Sequence, residues 1–597
     1  MKILAAVDIG NSTTEVCLAQ ENDLGKIRFL SSAFVLTTGL KGTAHNVTGI
    51  MSALKEAATQ AKKDITDISH IRINEAAPVI GGAAMETLSQ TIVTESSMLG
   101  HNPKTPAGIG TGYGKTINIQ NLKDAIENEP YIVVISNQTG YESAATLINK
   151  AKHINITGAI LQQDEAVLVH NRLIIKIPII DEVQDIHKIN EGIKTAIEVA
   201  PPGQAVGMLS NPYGIATLLK LTPEETTHIT PIAKSLIGAK SAVVMKYPWK
   251  NPAPPQKIGS ISIKAEKDLS VDFTQGADTV TKAIESAGII TNISGEPDTN
   301  IGNMLDKAVK SMAALAGKDE TVQVRDLFAA DTFAPVAIAG ALAGETSLEK
   351  AIAVAAMVTA GRLPMERLAS KLAEKTGVYT SIAGVEPVMA TLGALTTPGA
   401  SLPIAVLDLG GGSTDAALLD ENGVVKSVSL AGAGELVTMM IQTQLGITSR
   451  ITAENIKRYP AAKVESMFHT RMENGEVIFY ENGINPKFFG SIVVMSQAGM
   501  IKIDEDHPME KIVRVRQEAK QSVFVANAIR AINRLSPAVG AIKHVILVGG
   551  SAEDFEIPGI IQSAFTEMGM VCGRGNIRGT EGPRNAVATG LIMGSVS

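Results

Sequence analysis

The chain has 597 residues, of which 45% are hydrophobic and 19% charged, with a formal net charge of −7 and two cysteines. That length predicts roughly three to five domains, and the mix of residues is that of a folded protein rather than a disordered or fibrous one. The acidic balance without a basic stripe weighs against a nucleic-acid partner. Two isolated cysteines, Cys17 and Cys572, exclude a disulfide framework and an iron–sulfur cluster.

The N-terminus has no signal-peptide layout, and no run approaches the 18 or so apolar residues of a membrane span. The reading is a cytoplasmic protein with no membrane partner. In chain order, Ile3 to Val7 is a strand, turned back through Asp8-Ile9-Gly10-Asn11-Ser12-Thr13 onto Thr14 to Gln20. Residues 47–63 carry Ile50, Met51, Leu54 and Ala58 on one helical face. From about Thr94 the texture changes to a breaker-rich loop. Strands follow at Tyr131–Ile135 and Gly158–Leu161, then a predicted hairpin of Ala166–His170 and Leu173–Ile177 about Asn171-Arg172.

A Pro-rich boundary lies at 247–256. Residues 275–375 read as mostly helical, with Ala-rich segments at 334–343 and 349–361. Residues 465–515 contain a hairpin signal, Asn474-Gly475 before Glu476–Tyr480. The organisation read from this is an ATPase domain split over 1–92, 376–464 and 516–597, an inserted α/β domain at 93–254, a linker and helical region at 255–375, and a small insertion at 465–515.

Two segments 400 residues apart match each other: Val7-Asp8-Ile9-Gly10-Asn11-Ser12-Thr13 and Leu407-Asp408-Leu409-Gly410-Gly411-Gly412-Ser413-Thr414-Asp415. Glycine lets a phosphate approach the backbone N–H groups, and the Ser and Thr hydroxyls add donors. An Asp ending each strand can hold Mg²⁺ through water. A single such turn reads equally well as a plain hairpin; two copies in one chain point to phosphate binding. Val545–Val548 followed by Gly549-Gly550-Ser551 suits close approach to an adenine or ribose, although alone it is an ordinary strand-to-helix turn. Glu386, before Pro387 at a helix start, either orients the attacking water or only complements the helix dipole. Glu454 and Lys457 share a helix face and would hold ribose and base edges, or form a solvated pair.

The order of these elements resembles actin and the large heat-shock chaperone ATPases. That implies a duplicated α/β fold with ATP or ADP and Mg²⁺ in a cleft, with Asp8, Glu386 and Asp408 as its catalytic residues. The resemblance narrows to the large subunit of the diol dehydratase and glycerol dehydratase reactivases. It is carried by Arg72-Ile73-Asn74-Glu75-Ala76-Ala77-Pro78-Val79-Ile80-Gly81, by Gly100-His101-Asn102-Pro103-Lys104-Thr105-Pro106, by Ser210-Asn211-Pro212-Tyr213-Gly214-Ile215-Ala216-Thr217 and by the run from Gly573 to Gly590. Family nucleotide contacts then fall on Asn11, Ser12, Thr13, Glu454, Lys457, Gly550, Ser551 and Arg584. A second family metal site in the inserted, swivelling domain falls on Thr105, Asp164 and Asp181, although the segment Gln162-Gln163-Asp164-Glu165-Ala166 lacks the second Asp and the Gly expected there. The resemblance further implies a small partner subunit in a heterotetramer of two large and two small chains, and an inactivated B12-dependent dehydratase as client. A small-molecule kinase, with Asp415 as its candidate base, and a filament-forming actin relative are the alternatives.

Overall fold

The computed structural model describes residues 2–75, 84–89, 98–99, 106–183, 186–246, 257–316, 321–337, 346–505, 507–536 and 542–595. Two five-stranded sheets share one topology. In the first, Lys2–Ile9 pairs antiparallel with Thr13–Glu21, which pairs antiparallel with Ile27–Leu36. On its other edge Lys2–Ile9 runs parallel to His70–Glu75, and that strand to Thr380–Val385.

The second sheet repeats the pattern: Ile404–Leu409, Ser413–Leu419 and Val425–Ala431 are antiparallel, while His544–Val548 and Val571–Arg574 extend the sheet in parallel. This is the duplicated α/β architecture of the actin-like fold. Helices Glu386–Ala394 and Ala586–Met593 lie between the halves, and their Met389, Ala390, Val587 and Leu591 share one core with Leu4 and Ala6 of the first sheet and Ile404 and Val406 of the second.

The inserted region forms its own seven-stranded sheet, in the order Ile179–Ile180, Asn155–Leu161, Pro130–Ile135, Gly110–Asn118, Lys194–Val199, Ser241–Lys246, Met98–Leu99. Helices Tyr141–Lys150, Ala166–Arg172 and Pro212–Leu219 cover one face and residues 180–183 and 186–189 the other, so a strand such as Pro130–Ile135 is buried on both sides. The hairpin predicted for Ala166–His170 and Leu173–Ile177 is absent; Ala166–Arg172 is an α-helix. The buried carboxylate of Asp181 accepts from the Ala166 N–H at 2.8 Å, and Ala166 and Val169, three residues apart, turn into the core. A remote side chain thus decides a helix that the local β-propensity of Val and Leu obscures.

The largest departure lies in the region read as helical. Helices Ala277–Ser286, Asn300–Ala316 and Leu363–Thr376 are present. Between them, Gln323–Ala337 and Thr346–Thr359 form a long antiparallel hairpin, so the Ala-rich segment 349–361 is strand. The segment 334–343 is strand through Ala337 and lies outside the described residues beyond it. Leu327, Ala329, Val354 and Ala356 face one core, while Phe328, Ala330, Ala353 and Ala355 face another. With both faces buried there is no polar alternation to betray a strand, and the small alanines that raise helix propensity here let two cores approach one sheet closely.

The small insertion is a five-stranded sheet built on Ala461–Val464, whose Asn-Gly turn joins His469–Met472 to Val477–Phe479 as expected. Arg516, fully buried, ties it to the main body by pairing with Glu473 at 2.6 Å and Glu556 at 2.7 Å.

Candidate nucleotide site

The two phosphate loops are geometric copies. Asp8 lies opposite Glu15 and Ile9 opposite Thr14 in the first hairpin; Asp408 lies opposite Asp415 and Leu409 opposite Thr414 in the second. Each turn closes with one backbone bond, Gly10 N–H to Thr13 O at 2.9 Å and Gly410 N–H to Ser413 O at 3.2 Å. The loops face each other at contact. A Cβ on Gly411 would collide with Ser12 Oγ, and one on Gly412 with the Asn11 amide. Ser12 Oγ also donates to Glu435 across the cleft at 3.1 Å.

The carboxylates converge behind these loops. Asp8 is fixed by Asn74, whose Nδ2 donates to it at 2.7 Å while its Oδ1 accepts from Ile9 N at 3.0 Å. Burial, then the charges of Glu386 and Glu15, push Asp8 well above the usual carboxylate range. Burial, then Glu386 and Asp415, do the same to Asp408. Burial and Glu386 push Asp415 up to about 6, against hydrogen bonds from Ser429 and Ser413. Lys41 offsets the repulsion at all three. Its own charge survives burial because Glu386, Asp415 and Asp8 hold its pKa up at about 12.

Like charges forced together in a buried site call for a counter-cation. Among the described residues, no three carboxylate, imidazole or thiolate groups form a cage by themselves. The all-oxygen donor set of Asp8, Asp408 and Asp415 is of the kind that suits a hard cation such as Mg²⁺.

Around this centre lie the other residues that the sequence singled out. Lys457 is buried, and its Nζ donates to Gly434 O at 3.0 Å, Thr438 Oγ1 at 2.9 Å and Glu454 Oε2 at 2.7 Å. Ser551 Oγ donates to Gly410 O at 3.0 Å, so the third glycine turn touches the second phosphate loop. Gly549, at φ +89°, lies where a Cβ would strike Asp408 Oδ1. Arg584 lies against Gly550, pairs with Glu15 at 2.9 Å and Glu553 at 2.6 Å, and stacks over Phe34 at 4.7 Å. Asp8, Glu386, Asp408, both phosphate loops, Glu454, Lys457, Gly550, Ser551 and Arg584 therefore meet at one cleft.

Asp164 and Asp181 do not; they lie in the inserted sheet domain, near enough that Asp164 and Glu182 add to the burial that pushes Asp181 up to about 6. Thr105 lies outside the described residues.

Three participants escape the motif reading. Lys41, its side chain 3% exposed, pairs with Glu386 at 2.6 Å; its signal is a lysine between glycines, Gly39-Leu40-Lys41-Gly42-Thr43, at a strand-to-helix junction. Asn74 lies inside strand His70–Glu75 and is marked only by its place in the run Arg72 to Gly81 that carries the resemblance. The third is the start of helix Gly434–Leu445, where Glu435 N–H donates to Gly411 O at 2.7 Å; Gly432-Ala433-Gly434 before a helix is its sequence mark.

Residues 271–595 match the diol dehydratase reactivase ATPase-like domain, and residues 93–251 the DD-reactivating factor swiveling domain. The chain is 47% identical to the diol dehydratase-reactivating factor large subunit of Klebsiella michiganensis, over 99% of this chain and 98% of that one. It is 46% identical to the propanediol dehydratase-reactivating factor large subunit of Salmonella typhimurium over the same shares. Among solved structures, a diol dehydratase-reactivating factor in nucleotide-free form superposes with a TM-score of 0.81 at 46% identity, covering 100% of both chains. A glycerol dehydratase reactivase superposes at 0.79 with 45% identity over 99% of each. With full-length identity of this order, two matching domains and the same fold, the chain belongs to the large-subunit family of the dehydratase-reactivating factors.

Proposed function

We propose that this chain is the ATP-hydrolysing subunit of a factor that frees inactivated B12-dependent diol or glycerol dehydratase of its damaged cobalamin, so that intact adenosylcobalamin can bind. The observation that carries the reading is the pair of hairpins of one register facing one carboxylate cluster, within a chain similar along its whole length to reactivating-factor large subunits. In this reading the backbone and hydroxyls of Gly10, Asn11, Ser12, Thr13, Gly410, Gly411, Gly412 and Ser413 bind the phosphates, and Glu454, Lys457, Gly550, Ser551 and Arg584 shape the nucleoside side. Asp8 and Asp408 are the residues that would hold Mg²⁺. The ion's chemistry is to neutralise charge on the β- and γ-phosphates. Glu386 orients the attacking water from the start of its helix.

Asp415 lines the cavity and accepts from Ser413 at 2.7 Å; what favours hydrolysis over a kinase is the full-length similarity to reactivating-factor large subunits. The loops that touch across the cleft must part for nucleotide, so binding is tied to lobe movement. That movement would be passed to the swivelling domain, where Thr105, Asp164 and Asp181 are proposed as a second site for a hard cation, Mg²⁺ or Ca²⁺. The partner is a small subunit, in a complex of two large and two small chains, and the setting cytoplasmic. Among the described residues no helix is long and apolar enough to cross a membrane.

The test mixes glycerol-inactivated diol or glycerol dehydratase with this chain, its small subunit, Mg·ATP and adenosylcobalamin. ATP-dependent recovery of dehydratase activity is expected. No recovery with either client alongside intact ATP hydrolysis would overturn the client assignment and leave the ATPase.

A further inference from the structure

Residues 37–45 join the third strand of the first sheet to helix Asn46–Gln60. This loop is sewn to the first phosphate loop: Thr37 N–H donates to Ser12 O at 3.0 Å and Thr37 Oγ1 to Gly10 O at 2.8 Å. Its other end is fixed by Asn46, which donates to Thr38 O at 2.6 Å and accepts from Thr43 N at 3.0 Å. Lys41 is therefore carried rigidly with the first phosphate loop, while Glu386 belongs to the helix at the junction of the lobes. The two meet at 2.6 Å with side-chain exposures of only 3% and 15%.

A cavity opens beside the pair, and its polar lining is Lys41, Glu75, Glu386, Ser413, Asp415 and Ser429, with Glu75 paired to Arg362 at 3.0 Å. Ser413 ends the second phosphate loop, so an anion in this cavity would sit beyond the phosphates that the two loops hold. Asp8 and Asp415 also face the ammonium. Three carboxylates thus surround one buried cation, and the one bonded to it is the carboxylate assigned to water.

We propose that Lys41 is a γ-phosphate sensor: without nucleotide it is latched on Glu386, and the γ-phosphate of ATP, which ADP lacks, draws it off and leaves Glu386 to the attacking water. The inference rests on the nucleotide reading above and adds a regulation of that site. Exchanging a single carboxylate partner for a phosphate bearing more charge and three acceptor oxygens favours the transfer in a site shielded from water. Lys41 acts through Glu386 and is a positioning residue.

The experiment is equilibrium binding of Mg·ADP and of a non-hydrolysable Mg·ATP analogue to the full chain. Lys41→Met should weaken the analogue about 30-fold or more while moving ADP less than about threefold, since the buried charge pair is formed only with the γ-phosphate. Glu386→Gln should tighten the analogue by about threefold or more, because Lys41 no longer leaves a charged partner. An equal loss for ADP and analogue in Lys41→Met, or a weaker analogue in Glu386→Gln, would overturn the sensor. If Lys41→Met no longer unfolds cooperatively, the Glu386→Gln arm decides alone. Wild-type chain that binds neither ligand would instead overturn the nucleotide reading, and the sensor with it.

Discussion

The two phosphate hairpins have one topology and one register, yet their outer carboxylates have diverged. Glu15 of the first hairpin faces backward, accepting from Arg584 at 2.9 Å and from the Asn585 N–H at 2.7 Å. Asp415, its counterpart, faces the cavity beside Lys41 and is held by the hydroxyls of Ser413 and Ser429. The inner pair differs as well: an amide, Asn74, fixes Asp8, whereas the glycine backbone of residue 549 presses on Asp408. A duplicated scaffold supplies two equivalent carboxylate pairs. Pairing one outer member with an arginine makes it structural and leaves the other facing the cavity beside Lys41.

Four substitutions and one pH titration would break or sharpen that contrast. Asp408→Ala should lower ATP turnover by about 100-fold or more, in the range of losing one preorganised charge-stabilising group. Circular dichroism should remain that of the folded chain, and wild-type turnover in this variant would remove Asp408 from the mechanism. Glu15→Gln leaves Arg584 half-paired and buried, so it should destabilise the chain by about 3 kcal/mol in urea titration; Asp415→Asn, with no arginine behind it, should not. Equal losses from the two would show that the hairpins have not diverged. Gly549→Ala should cost about 2 kcal/mol, for a side chain at positive φ and a clash with Asp408, and lower turnover with it.

The smallest effect is a pH slope. Burial raises Asp415 from 3.8 to about 6 in the folded chain. Between those values the native state holds a proton that the unfolded state has lost. Stability of the nucleotide-free chain should therefore fall as pH rises from about 4 to 6, by at most about 1.4 kcal/mol per unit for this one proton. Asp415→Asn should flatten the curve by that amount; an unchanged profile would mean that Asp415 titrates normally.

Much of this was legible in residue order. The paired Asp-Gly loops are local turns, written in adjacent residues, and both fold as read. Helix Glu386–Ala394 starts where Pro387 allows it, and the Asn474-Gly475 hairpin forms where its turn demands. Lys41 was not legible, because its significance lies in a contact 345 residues away.

By itself, then, the sequence determined the turns, the strands that enter them, and the duplication that sets two phosphate loops in one chain, since each depends on neighbours in the chain. Tertiary structure alone decided that the Ala-rich run 349–361 is a strand, because burial on both faces erased the alternation that marks one. It also decided that Ala166–Arg172 is a helix, through a carboxylate fifteen positions away. And it decided which carboxylate of each pair meets a cation, because charges separated by hundreds of residues acquire an interaction energy only when folding brings them within a few ångströms.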